Sequence, residues 1–191
     1  MSTRIAKIIS VVLAPLVIVV PGLFLLVLIQ KHNLQIALYW MLLLLCFIVP
    51  LWAVIFWLTK AKKFSDFDVS TQKQRPLLFA IEAIFTAGYL LVAYLFNAPK
   101  EVFVGVVTVV ALLSVIAVVN KFIKASGHLS MLSGGLTLFV LVGGWIFTLG
   151  YLLIPILAWA RLKTKRHTFR EVILGIIIGT SVASLVYALF K

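Results

Sequence analysis

ARLKTKRHTFRE, residues 160–171, is a short polar island between two long apolar runs, and its placement decides the fold. It carries Arg161, Lys163, Lys165, Arg166 and Arg170, together with His167 and, four residues later, Glu171. Residues at i and i+4 of a helix share a face, so a carboxylate at 171 can orient an imidazole at 167.

The flanking runs are long enough to cross a bilayer, and such runs recur along the whole chain. Of 191 residues, 64% are hydrophobic and 12% charged, and the mean hydropathy is +1.22. Soluble domains do not have this composition. Short segments of alternating polarity, the mark of a membrane β-barrel, are missing. The expected fold is all-α, a polytopic transmembrane helical bundle of six to seven spans, with residues 1–191 forming one integral membrane domain. The single cysteine, Cys46, lies in an apolar run and can form neither an internal disulfide nor a thiolate metal site. The first apolar run, behind Arg4 and Lys7, is too long for a signal-peptide core and reads as a retained helix. The net charge of +12 fits membrane topology and anionic headgroups, and no nucleic-acid partner is expected.

The predicted spans are 5–30, kinked by Pro15 and Pro21, then 35–59, 77–96, 102–120, 127–142, 145–160 and 171–190. If 126–160 is one helix the count falls to six. Charge favours seven. One side then receives Arg4, Lys7, the cations of 60–75, Lys121, Lys124 and the 161–170 cluster, while the other receives only Lys31, Lys100 and Lys191. By the positive-inside rule the first side is cytoplasmic, so the expected location is the cell membrane, with polar segments 60–76, 121–128 and 161–171 on one cytoplasmic surface. There they could converge.

Each segment has a plain structural reading and a chemical one. Ser126 suits a helix N-cap, Gly127 lets a ligand approach the backbone, and the open N–H groups there attract anions. His128 follows in the first turn, or is incidental to a capped helix start. Arg161 could grip phosphate bidentately. His167 could attack phosphorus with Glu171 on its other nitrogen, although Thr168-Phe169-Arg170-Glu171 is also a capping-box pattern and the cations could be membrane anchors. Lys73 and Arg75 precede Pro76, an ordinary helix start. A two-histidine, one-carboxylate metal site from His128, His167 and Glu171 is disfavoured by the surrounding cations, which repel a divalent ion and attract a phosphate.

Together, Arg75-Pro76, Ser126-Gly127-His128 and Arg161-x5-His167-x3-Glu171 resemble the type 2 phosphatidic acid phosphatase superfamily. Its motifs are Lys-x6-Arg-Pro, Pro-Ser-Gly-His and Ser-Arg-x5-His-x3-Asp. The resemblance covers a phosphatase-like core from about residue 68, behind two N-terminal spans. It implies a lipid phosphatase in which His167 is the nucleophile, Glu171 orients it, and His128 is the general acid. Lys73, Arg75, Ser126, Gly127 and Arg161 would bind the phosphoryl oxygens. It implies no metal and no cofactor. The expected partners are a lipid or isoprenoid phosphate, the surrounding lipids and, as an open option, a second copy of the chain. The departures are Asp68 where the family has its first lysine, Ala125 for proline, Ala160 for serine and Glu171 for aspartate.

Glu82, inside the third span, is expected to pair with Lys121 or Lys124, or to support a site residue. Two rival readings remain: an inactive relative acting as a membrane scaffold, and a small transporter. A transporter needs polar groups along its path, and the span centres offer almost none beyond Glu82.

Overall fold

The computed structural model describes residues 3–191. Among these the chain is helical without a strand: α1 (Thr3–Val12), α2 (Pro15–Lys31), α3 (Leu34–Lys60), α4 (Arg75–Leu95), α5 (Lys100–Val119), α6 (Gly127–Gly143), α7 (Leu153–Lys163) and α8 (Phe169–Phe190). Two 3-10 segments, Gln72–Gln74 and Trp145–Leu152, lead into α4 and α7. Five segments are long and apolar enough to cross a membrane: Leu34–Lys60, Gln72–Leu95, Lys100–Val119, Trp145–Lys163 and Phe169–Phe190. The α1–α2 pair meets the same test jointly but is bent by 44°. The bend falls just before Pro15, which starts α2; Pro21 lies inside α2 without ending it. With 17 residues, α6 is short for a crossing.

The chain reverses after α6. Gly144 has φ +92°, a backbone conformation open to glycine, and the 3-10 segment that follows packs back along α6. The 126–160 stretch is therefore two pieces folded back on each other rather than one helix. Its return piece differs from the simple helix expected, because its first eight residues are wound as 3-10 helix.

The most intimate helix pair is α6 with α8. Ser130 Oγ donates to the Gly175 carbonyl at 2.9 Å, and Ser133 Oγ to that of Ile176 at 3.2 Å. A Cβ at Gly175 would stand 2.6 Å from the Ser126 carbonyl oxygen, so only glycine permits this approach. Small residues and hydroxyl bridges are how helices adhere where burial from water supplies no drive. This packing fixes the starts of both helices side by side. The ends of α3, α5 and α7 and the starts of α4, α6 and α8 all meet at one end of the bundle. The first helix, α1, packs on α7 at that same end, burying Ala6 and Ser10 and leaving Ile5, Ile8, Val11 and Val12 exposed.

Candidate active site

The three polar segments converge. Arg75 clamps the first to the second: its Nε donates to the Val69 carbonyl at 3.3 Å and its Nη1 to Asn120 Oδ1 and the Ala125 carbonyl at 3.0 and 3.1 Å. Lys124 joins the second to the third through the Arg166 carbonyl at 2.9 Å. The backbone N–H of Ser126 donates to the Glu171 carbonyl at 3.2 Å.

Local sequence explains how His167 is presented. α7 ends at Lys163, and the turn passes through Lys165 in the left-handed region with φ 54°. The Arg166 N–H returns to the Arg161 carbonyl at 3.1 Å, and Thr168 caps α8. Glu171 serves two roles. Its Oε2 completes the capping box with the Thr168 N–H at 3.4 Å and also meets His167 Nδ1 at 2.7 Å. The structural and chemical readings of Glu171 therefore coexist. A carboxylate accepts, so Nδ1 carries the proton and the Nε2 lone pair is left for chemistry. The His167 ring is 1% exposed. Burial, then the charges of Arg161, Lys124 and Arg75, push its pKa down to about 2, outweighing the neighbouring carboxylate. It is a neutral imidazole at any ordinary pH.

Arg161 sits against His128, and its charge is felt at His167. It is 3% exposed, and its Nη1 stands 3.5 Å from His128 Nε2. Its Nε is shut off from solvent and has no hydrogen-bond partner among the described residues, although buried donors are nearly always satisfied. Ser126 caps α6 through the Leu129 N–H at 3.5 Å, and beside Gly127 there is open space. His128 is buried in the first turn, next to Ser10 of α1.

Two expectations change. Lys73 is exposed on the 3-10 turn and takes no part in the cluster's hydrogen bonds. Lys124 is the lysine at the site, its pKa lowered by burial and by the charge of Arg75. Glu82 pairs with neither Lys121 nor Lys124; its Oε2 is buried and unpartnered among the described residues.

Sequence reading missed the acids. Asp68 Oδ2 accepts from Arg161 Nη1 at 2.8 Å, and its Oδ1 lies 3.9 Å from His128 Nε2. Burial pushes the Asp68 pKa up, but His128, Arg161 and Arg166 together hold it below the usual carboxylate value. Asp66 Oδ2 pairs with Arg166 Nη1 at 2.8 Å, and Ser70 bonds the same guanidinium. The loop holding these acids includes Val69, fully buried with φ 44°, a strained position for a β-branched residue. A signal was present: the chain has only five acidic residues, and two of them fall within a segment otherwise rich in cations.

Comparison with known proteins finds no matching family model, no matching curated protein and no matching solved structure.

Proposed function

We propose that the chain is a membrane-embedded lipid phosphatase, of the type 2 phosphatidic acid phosphatase kind, acting without metal through a phosphohistidine. The observation that carries this reading is the pairing of His167 with Glu171 at 2.7 Å beside Arg161, whose buried Nε lacks a partner among the described residues. A neutral, oriented nucleophile next to an unspent guanidinium donor is suited to a phosphoryl group. In the first step His167 Nε2 forms a bond to phosphorus and the phosphorus–oxygen bond to the lipid breaks. The departing oxygen takes a proton from His128, which has to enter this step as the imidazolium, with Asp68 Oδ1 3.9 Å from its Nε2 to balance the charge. In the second step water attacks phosphorus, His128 takes its proton, and inorganic phosphate leaves with His167 restored. Arg161, the Gly127 end of α6 and Lys124 would hold the phosphoryl oxygens, and Arg75 would hold the segments that carry them.

The chain would cross the membrane seven times, with α1 and α2 as one bent crossing and the site on the cytoplasmic face. The lipid tail would occupy the cavity of about 180 Å³ among α2 to α6. Met131 and Leu132 of its lining follow His128 by three and four residues, so the cavity begins about one helical turn below the acid.

One observation favours a second reading, an inactive relative acting as a scaffold: Asp68 already occupies Arg161, where the family pattern has a lysine. Phosphate release by the purified protein with excess chelator separates the two. The panel is phosphatidate, phosphatidylglycerophosphate and a prenyl diphosphate, with His167→Ala as control. Release that survives the chelator and vanishes in the variant is expected. Well-folded protein silent on all three would favour the scaffold, and release only with added divalent metal would overturn the histidine mechanism.

A further inference from the structure

Glu82 lines the cavity beneath the site. It follows Arg75 by seven residues on the same helix, two turns further and on nearly the same face, about 10 Å below it. Its Oε2 is enclosed and has no partner among the described residues. The other polar groups of the lining are already committed. Thr86 Oγ1 donates to the Glu82 carbonyl at 2.7 Å, Thr108 Oγ1 to the Val104 carbonyl at 2.7 Å, and the Tyr89 hydroxyl to the Trp40 carbonyl at 3.2 Å. The remaining lining is almost wholly apolar. An unmatched carboxyl at this depth is costly and marks a site where a polar group of a ligand belongs.

We infer that Glu82 recognises the acyl linkage of the lipid, so that the cavity takes an acyl-linked lipid phosphate rather than an isoprenoid one. This rests on the phosphatase reading for where the phosphate lies. With phosphate at Arg161 and His167, the carbons joining it to the tails fall just below His128, and the first carbonyls fall in the layer of Glu82. In its acid form the carboxyl donates one hydrogen bond to such a carbonyl. A prenyl chain has no acceptor there and leaves Glu82 as orphaned as an empty cavity does.

The test compares dioleoyl phosphatidate with its dialkyl ether analogue, which has the same headgroup and chain length but no carbonyls. Two readouts are taken on the full chain in detergent: phosphate release by the wild type, and lipid retention by His167→Ala, which needs no turnover. The wild type is expected to favour the ester about three- to tenfold, the usual worth of one net hydrogen bond. Glu82→Gln, which keeps a donor, should retain most of the preference, and Glu82→Leu should abolish it in both readouts. Equal handling of ester and ether, or a preference that survives in Glu82→Leu, would overturn the inference while leaving the phosphatase intact. Ester-selective retention that depends on Glu82, without phosphate release, would uphold it and remove the phosphatase reading instead.

Discussion

At the scale of the residue, the site depends on what surrounds His167. Removing the imidazole with His167→Ala should lower phosphate release by about a thousandfold or more. Glu171→Gln is more informative, because glutamine can still close a capping box. The fold should stand while orientation of the ring is lost, and turnover should fall roughly 10²–10⁴-fold with little change in thermal stability. A variant that unfolds, with the cap still available to glutamine, would mean that the contact between the Glu171 carboxylate and His167 holds the fold rather than only the ring. The pH dependence has a definite sign. His167 has a folded pKa of about 2 against 6.5 for the free side chain, so its stabilising contribution is complete above pH 6.5. It diminishes below that, as the unfolded chain takes up a proton that the folded chain refuses. The Asp68 carboxyl, lowered in the fold, acts in the same direction but below its ordinary carboxylate range. Thermal denaturation followed from pH 8 to pH 4 should show stability flat and then declining; a rise toward acid would contradict the buried neutral imidazole. On the proposed function Asp68, which pairs with Arg161 at 2.8 Å, would compete with the substrate phosphate for that guanidinium. Asp68→Asn should lower KM for a lipid phosphate by about tenfold, since a full negative charge leaves the phosphate's surroundings. An unchanged KM would show that the carboxylate is not in the way.

At the scale of the element, sequence alone located helices well and the return of α7 poorly. Long apolar runs bounded by Lys60, Pro99 and Asn120 leave few choices, and the Ser126 and Thr168 caps mark the starts of α6 and α8 to within a residue. The 3-10 winding of Trp145–Leu152 was hidden because hydropathy has no period that separates it from an α-helix there. The inward turn of Asp68 was equally hidden. It depends on Val69 adopting a positive φ, which valine's own preferences argue against. The pairing of α6 with α8 offers a test of packing. Gly175→Ala sets a methyl 2.6 Å from the Ser126 carbonyl, and should cost about 1–3 kcal/mol of stability and disturb His128 two residues away. Gly135→Ala, with open space around its Cβ, is the control and should be near neutral. Equal melting of both in detergent would mean that the contact between the helices is looser than described.

For the whole molecule, the membrane class was legible from composition, and the meeting of three distant polar segments was legible from charge asymmetry. The ion pairs between them were not, because nothing local links residue 68 to residue 161. The proposed orientation is testable with Ala61→Cys in a Cys46→Ala background. Ala61 is exposed at the end of α3, so an impermeant thiol reagent should label it only after intact cells are permeabilised. Labelling from outside would reverse the topology.

On the proposed function, a site whose histidines and Arg161 are buried, above a cavity among α2 to α6, would receive its substrate from the side. Encounter is then a search in two dimensions. Turnover should follow the mole fraction of substrate in the bilayer, so that adding inert lipid slows the reaction even when the amount of substrate per volume of solution is held constant.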